Sequence, residues 1–488
     1  MARLYDLARM TTATTGTGTI TLGSAVASFL TFAQAGVANG DTVTYAIEDG
    51  ANREIGRGVY TSSGTTLTRA TILRSTNSNA AISLSGTAQV FIAAAAEDIS
   101  PQTAAEQSTV RMNLYAAPYD VMAKINAIVN GSMELTQQYG SAGGPASLTS
   151  ADNSANTYNV DQWFTYKVSS GTWTVSQQSD GPPTFPLCLD YLSPTTQTLS
   201  SGDLHTICQA IEGFRMVRFA FGSSSAARVT FGFWVKATQT GTMTVGFCNA
   251  KNPVAGTSIY RHNITINAAN TWEYKTITLD GDTAHTWATN TNAGLCIFFV
   301  MAAGSSQKNS TVDAWDATNP TIPASSSQTN FLASANDRVR FSATWFVATG
   351  DTPSAAQSTL FHSTQDEELD VCQRYYEHSY QPSSPVGTVT DPGAVDCGFT
   401  LSSGATFAAS AQQGTVFYKR VKRGTPTITF YSPATGTSGK IRDAVAGVDV
   451  TGATANINRR SFAWSYTPNA AAAQTRAQFH WAADSRII

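Results

Sequence analysis

The carboxylates with a claim to chemistry between residues 131 and 360 are Asp161, Asp190, Asp203, Glu212, Glu273, Asp280 and Asp282. Glycoside hydrolysis needs two such groups about 5–10 Å apart across one bond. None of these falls in a motif that pairs it with another, so no catalytic residue is expected. Nucleophilic acyl chemistry has no support either, because no GxSxG elbow occurs. The histidines (His205, His262, His285, His362, His378, His480) are dispersed and no two stand at i, i+4, which leaves a zinc site without ligands. The six cysteines (Cys188, Cys208, Cys248, Cys296, Cys372, Cys397) form no CxxC and read as buried free thiols. Asp280-Gly281-Asp282 is the best local set of oxygens for a hard cation. Two acids across a glycine also make a common tight turn, so neither a metal nor a cofactor is expected.

Aromatic rings offer a different chemistry. A Trp or Tyr face packs on the apolar side of a sugar ring at little entropic cost. The central aromatics are Trp163, Tyr166, Trp173, Tyr191, Trp234, Tyr260, Trp272, Trp287 and Trp315. Trp287 (within 283–292) and Trp315 (within 312–319) lie in loop-like sequence and are expected to be exposed. With Tyr260 they are the candidate glycan-binding residues.

The elements that would position these residues are strands. Thr, Ser, Ala and Gly dominate between short hydrophobic runs. Branched Cβ atoms favour strands and small residues favour turns, so the chain is expected to be mainly β. Phe231, Phe233 and Val235 alternate with Trp234 and Lys236, the period of a strand with one face in the core. A helical stripe runs through Leu114, Val121, Ile125, Ile128 and Val129, interrupted at Pro118. Three copies of it could pack as a coiled coil. A second helix is expected over Thr364–Ser379, capped by Ser363 or Thr364, with Asp366, Glu367 and Glu368 in its first turn.

Charged residues make up 13% of the chain and the net charge is −3, a poor match to nucleic acid, which selects concentrated positive charge. The densest basic run, Lys419–Arg423, reads as a solvated loop or strand edge. No segment approaches the ~20 apolar residues of a membrane span, and no secretory h-region is evident at the N-terminus. Neither nucleic-acid binding nor membrane insertion is expected.

Three segments resemble known proteins. Thr11–Thr19, Gly40–Tyr45, Glu54–Gly58, Leu67–Arg69 and Leu73–Asn77 follow one another as in the N-terminal module of phage tail-fibre-type proteins. In those proteins the module docks on the particle. Asn130–Glu134, Tyr158–Trp163, Thr230–Ala237 and Thr271–Asp282 resemble a jelly roll of the carbohydrate-binding type. Leu369–Glu377 and Phe479–Asp484 are similar to the C-terminal region of phage receptor-binding proteins. The resemblance implies four parts: an attachment module (1–97), a helical connector (98–130), a jelly roll (131–360) and a C-terminal helix with strands (361–488). It also implies a non-enzymatic fibre or spike subunit of a virion, assembled in the bacterial cytoplasm. Such a subunit would be homotrimeric, docked on other virion proteins through residues 1–97, and bound to a host surface polysaccharide or receptor. A head, collar, neck or baseplate component and a polysaccharide depolymerase are the alternatives.

Overall fold

A computed structural model describes residues 4–99, 125–140, 146–148, 153–400, 412–469 and 473–487. The chain forms two compact units, Met1–Ala117 and Pro118–Ile488, and is mainly β, as the composition predicts.

In the first unit the hairpin Thr42–Asp49/Asn52–Thr61 turns through Gly50 at φ 57° and Ala51. Its inward residues Val43, Tyr45, Ile47 and Tyr60 meet Met10, Phe32, Leu67 and Val90 in one core. Glu54 is also inside. It is tolerated there because its oxygens are filled: Arg69 Nε donates at 2.8 Å, the Tyr45 hydroxyl at 2.9 Å and the Ile82 amide at 2.9 Å. Burial, then the Glu54 charge, push the Tyr45 phenol far above its ordinary range. Glu48 and Asp49 tie separate segments together. Glu48 pairs with Arg9, and Asp49 accepts from the Ser85 amide at 2.6 Å and its hydroxyl at 2.5 Å. Gly58 lies against the neighbouring backbone, where a Cβ would sit 1.9 Å from the Thr68 carbonyl oxygen. Gly58→Ala is therefore expected to destabilise this unit by about 1–3 kcal/mol in urea unfolding. Gly18→Ala, at a position with nothing within 4 Å, should be close to neutral. Equal effects at the two sites would refute the close-approach argument.

Of the predicted stripe, Leu114, Pro118 and Val121 lie outside the described residues. Its last members do not continue a helix. Ile128 and Val129 are buried in non-helical backbone of the second unit, where the Val129 amide donates to Gln209 Oε1 at 2.8 Å and its carbonyl accepts from Gln209 Nε2 at 2.7 Å.

The second unit is built on two antiparallel sheets. One has six strands in the order Ala146–Leu148, Trp173–Gln178, Cys188–Leu192, Arg338–Val347, Val229–Ala237, Glu273–Leu279. The other has seven, in the order Thr157–Val160, Trp163–Val168, Leu204–Glu212, Ala293–Ala303, Gly241–Cys248, Ile259–Ile266, Trp315–Asp316. Phe231, Phe233 and Val235 point between them, as the period-2 pattern predicts, and meet Phe299 and Phe341. The seven-stranded sheet is buried on its other face too. Phe164, Cys208, Cys248, Cys296 and Phe298 are covered there by Ala324 and Ile487. That accounts for the near-continuous apolar run Leu295–Ala303. All six cysteines are free.

The helix near the C-terminus is shorter than predicted, Gln365–Gln373, with Thr364 and Glu367 as a reciprocal capping pair. Tyr376 leaves helical geometry because Tyr376–His378 is a strand paired with Gln474–Asp484. That last strand also pairs with Val395–Thr400, Thr427–Tyr431 and Lys440–Asp443. The basic run is a loop with Lys419, Arg420 and Val421 exposed, as expected, but its last two residues turn inward. Lys422 is fully buried, its Nζ donating to the Gln373 carbonyl at 2.5 Å and to Glu377 Oε2 at 2.5 Å, and Arg423 donates to the carbonyls of Ser485 and Thr291. Arg374 completes the join to the sandwich through Glu212, with Nη2 to Oε1 at 2.6 Å and Nε to Oε2 at 2.9 Å.

Candidate functional site

Tyr260, Trp287 and Trp315 come from three separate segments and meet at the outer edge of the seven-stranded sheet. Tyr260, on strand Ile259–Ile266, is the cross-strand partner of Trp315 on the edge strand Trp315–Asp316, with ring centroids 5.4 Å apart. Trp287 stands edge-on to Trp315 at 5.3 Å, and Phe221 contacts Trp287 at 5.0 Å and Trp315 at 6.0 Å. Edge-to-face contacts of this kind add about 0.5–1.5 kcal/mol each beyond the area they bury.

The expectation of exposure fails for Trp287, which is 7% exposed. The loop that carries it folds inward around Asp282. That carboxylate accepts from the Ala284 amide at 2.9 Å, Ser258 Oγ at 2.9 Å, His285 Nδ1 at 2.8 Å and Trp287 Nε1 at 3.2 Å. Burial alone would raise the Asp282 pKa, but these donors outweigh it and hold the group below the usual carboxylate range. Tyr260 is buried as well. Trp315 remains half-buried, with its indole N–H donating to the Asp280 carbonyl at 2.9 Å.

Asp280 and Asp282 thus serve different ends. Asp282 is the internal anchor of the Trp287 loop, while the Asp280 side chain is 83% exposed, 3.7 Å from Arg228 Nε. Among the described residues no group of three or more His, Cys, Asp or Glu is placed to hold a metal ion. Ser258 and His285 both bond to Asp282 and not to each other, so the trio cannot activate the serine as a nucleophile. The other carboxylates singled out in the sequence have structural partners. Asp161 holds Gln137 at 2.5 Å, Asp190 pairs with Arg340 at 2.9 Å, Asp203 caps the Ser200 amide at 2.9 Å, Glu212 joins Arg374, and Glu273 takes Lys275 at 2.6 Å.

A support that the sequence did not reveal lies beneath the edge strand. The Arg261 guanidinium is fully buried. It meets Asp316 at 2.8 Å and the carbonyls of Ile322 at 2.6 Å and Asn319 at 2.5 Å. Asp316 in turn caps the Thr318 and Asn319 amides at 2.8 and 3.0 Å. Together they fix the 311–322 segment that presents Trp315. The adjacent pair His262–Asp313, 2.5 Å apart, is partly exposed. Burial first, then the charges of Asp313 and Asp280, push the Tyr260 phenol up to about 12, so it keeps its proton, and can donate it in a hydrogen bond, at all ordinary pH. The edge offers an aromatic face, a phenolic donor, an exposed carboxylate in Asp280 and another in Asp313, and the Arg228 guanidinium.

No family model matches the chain, and no curated protein does. Among solved structures, the enzymatically active domain of bacteriophage CBA120 tailspike protein 4 aligns over 46% of this chain at 14% identity and a TM-score of 0.23; the chain spans 21% of that structure's length. The family 11 carbohydrate-binding module from Clostridium thermocellum aligns over 43% of this chain and 100% of its own, at 12% identity and a TM-score of 0.23. A family 30 carbohydrate-binding module aligns over 47% and 90%, at 10% identity and a TM-score of 0.24.

Proposed function

We propose that the second unit binds a carbohydrate at the Tyr260–Trp315 edge, and that the chain is a non-enzymatic fibre or spike subunit of a bacteriophage virion, attached to other virion proteins through residues 1–97. The observation that carries the binding reading is the convergence of Tyr260, Trp287 and Trp315, distant in sequence, beside Asp280, Asp313 and Arg228. Ring stacking against a sugar, flanked by carboxylate acceptors and a guanidinium donor, is how polar rings are held in water. The virion reading rests on the ordered likeness of residues 11–77 to tail-fibre attachment modules. Within it the chain is a homotrimer, since several weak sites on one fibre gain affinity by avidity.

Trp315→Ala in the full chain should leave the fold intact and weaken binding of the best ligand from a host-glycan array at least tenfold, about 1.4 kcal/mol. Trp287→Ala is unsuited to this test because it empties the core. Unchanged affinity in Trp315→Ala would remove the edge as the binding site. Absence of any binding to host cells or glycans would favour a purely structural fibre, and release of oligosaccharide from host capsule would establish a depolymerase. Light scattering should give three times the chain mass; a stable monomer at micromolar concentration would end the trimer reading.

A further inference from the structure

The outward face of the six-stranded sheet carries a second group of aromatic and charged side chains, distinct from the edge cluster. On strand Val229–Ala237 the outward residues Trp234 and Lys236 stand two apart. Trp234 is in register with Tyr274 on the edge strand Glu273–Leu279, with ring centroids 5.5 Å apart. Continuing that ladder by one residue sets Trp272 opposite Lys236. All three rings are half-buried, and the indole nitrogens of Trp234 and Trp272 are shielded from solvent with no hydrogen-bond partner among the described residues. Both nitrogens lie beneath the surface, so a ligand on this face would meet the rings and not their N–H groups.

The neighbouring charges are arranged in a row across the sheet. Lys236 is in register with Arg340, and Arg340 with Asp190. Arg340 Nε meets Asp190 at 2.9 Å, and Arg338 lies 3.7 Å from the same carboxylate. Asp180, from a loop outside both sheets, bridges Lys236 Nζ at 2.9 Å and Arg340 Nη1. Three cations thus face two acids. Asp190 is buried, whereas Asp180 is about half exposed and sits on an irregular segment. It holds the place that a carboxylate from outside would take.

We propose that this face binds an acidic oligosaccharide, with sugar rings on Trp234 and Trp272 and a uronate carboxylate replacing Asp180 on Lys236 and Arg340. The face binds independently of the Trp315 edge. Titration of the full chain with a galacturonic acid hexamer at low salt tests it, followed by heat and by tryptophan fluorescence, with a neutral glucose hexamer as control. The acidic hexamer should bind in preference to the neutral one and weaken at least tenfold when salt rises from 50 to 500 mM. Trp234→Ala and Lys236→Ala should each weaken it about tenfold. Asp180→Asn, which removes the internal competitor, should tighten it several-fold. A merely structural role for Asp180 would never produce that gain. Loss of binding in Trp315→Ala with retention in Trp234→Ala, no gain in Asp180→Asn, or equal binding of the neutral hexamer would each overturn the proposal. The first of these outcomes would place the acidic hexamer at the edge site, whereas the other two leave binding at the edge untouched.

Discussion

Lowering the pH from 7 to 4.5 is expected to cost the second unit about 5 kcal/mol of stability, enough to unfold a protein of ordinary margin. Three histidines are buried without charge; His205 and His378 account for that figure, and His362, lowered by burial to about 4, adds to it. His205 is fully enclosed, 2.9 Å from the Tyr191 hydroxyl and 4.0 Å, centroid to centroid, from Trp173. Burial first, then the nearby Lys167 charge, lower its pKa to about 3. His378, enclosed by Tyr376 and Tyr380, is lowered to about 4 by burial above all. Their folded values lie below the unfolded one, so the unfolded chain binds protons first. Their stability contribution is complete above pH 6.5 and is lost as pH falls from there toward 3–4, at about 1.4 kcal/mol per pH unit for each group. Asp282 and Asp316, whose donors hold them below the ordinary carboxylate range, contribute stability that is lost later, as pH falls through and below that range. Asp161 and Asp190, raised by burial, offset part of the loss. Urea unfolding of His205→Gln between pH 6 and 4.5 should show a stability slope shallower by about 1.4 kcal/mol per pH unit. An unchanged slope would remove His205 as a source of the acid sensitivity.

Arg261→Met is expected to destabilise the second unit by about 3–5 kcal/mol, because it leaves Asp316 buried without its counter-ion. Two carbonyls, of Ile322 and Asn319, lose their donor at the same time. Adding Asp316→Asn to that variant should cost far less than Asp316→Asn alone, since the charge it removes is already unpaired. A double-mutant cycle from urea curves measures the difference. Additive losses would mean that the two residues do not act as a pair. The single variant should also loosen the 311–322 segment and weaken any ligand held on Trp315.

The strands of the sandwich were legible where burial is one-sided. Phe231–Val235 alternates because one face of its strand meets the core and the other does not. Length was less legible where tertiary pairing overrules local pattern. Residues 374–379 carry apolar spacing fit for a helix, yet Tyr376–His378 pairs with Gln474–Asp484, and a ladder to a distant strand outweighs a few tenths of a kilocalorie of helix propensity. Ile128 and Val129 read as a helical stripe, but Ile128 is buried in the core of the sandwich and Val129 is held by Gln209 through its amide and carbonyl. The aromatic candidates were identifiable by residue type, whereas their burial was not. Trp287 follows polar residues as a loop residue would, and only the donors converging on Asp282 show that the loop turns inward. Arg261 gave no signal, because a lone arginine in a strand looks like a surface residue until four acceptors close around it. In the first unit the strings Glu54–Gly58 and Leu67–Arg69 are joined by two contacts. Glu54 is neutralised by Arg69, and Gly58 admits the Thr68 carbonyl.

The strand Gln474–Asp484 is the common neighbour of four others, which begin as early as Tyr376. During synthesis those four emerge from the ribosome long before the strand that orders them. Apart from local pairs such as Lys440–Asp443 with Val448–Thr451, the C-terminal lobe then has sheet edges open, while the hairpin of the first unit, with its partners close in sequence, can already be closed. At the 5–20 residues per second typical of translation, the roughly one hundred residues from Tyr376 onward represent several seconds in which Tyr376–His378, Val395–Thr400 and Thr427–Tyr431 await that strand, whereas Lys440–Asp443 meets Val448–Thr451 sooner. Chaperone dependence and loss of yield on overexpression should therefore concentrate in this lobe.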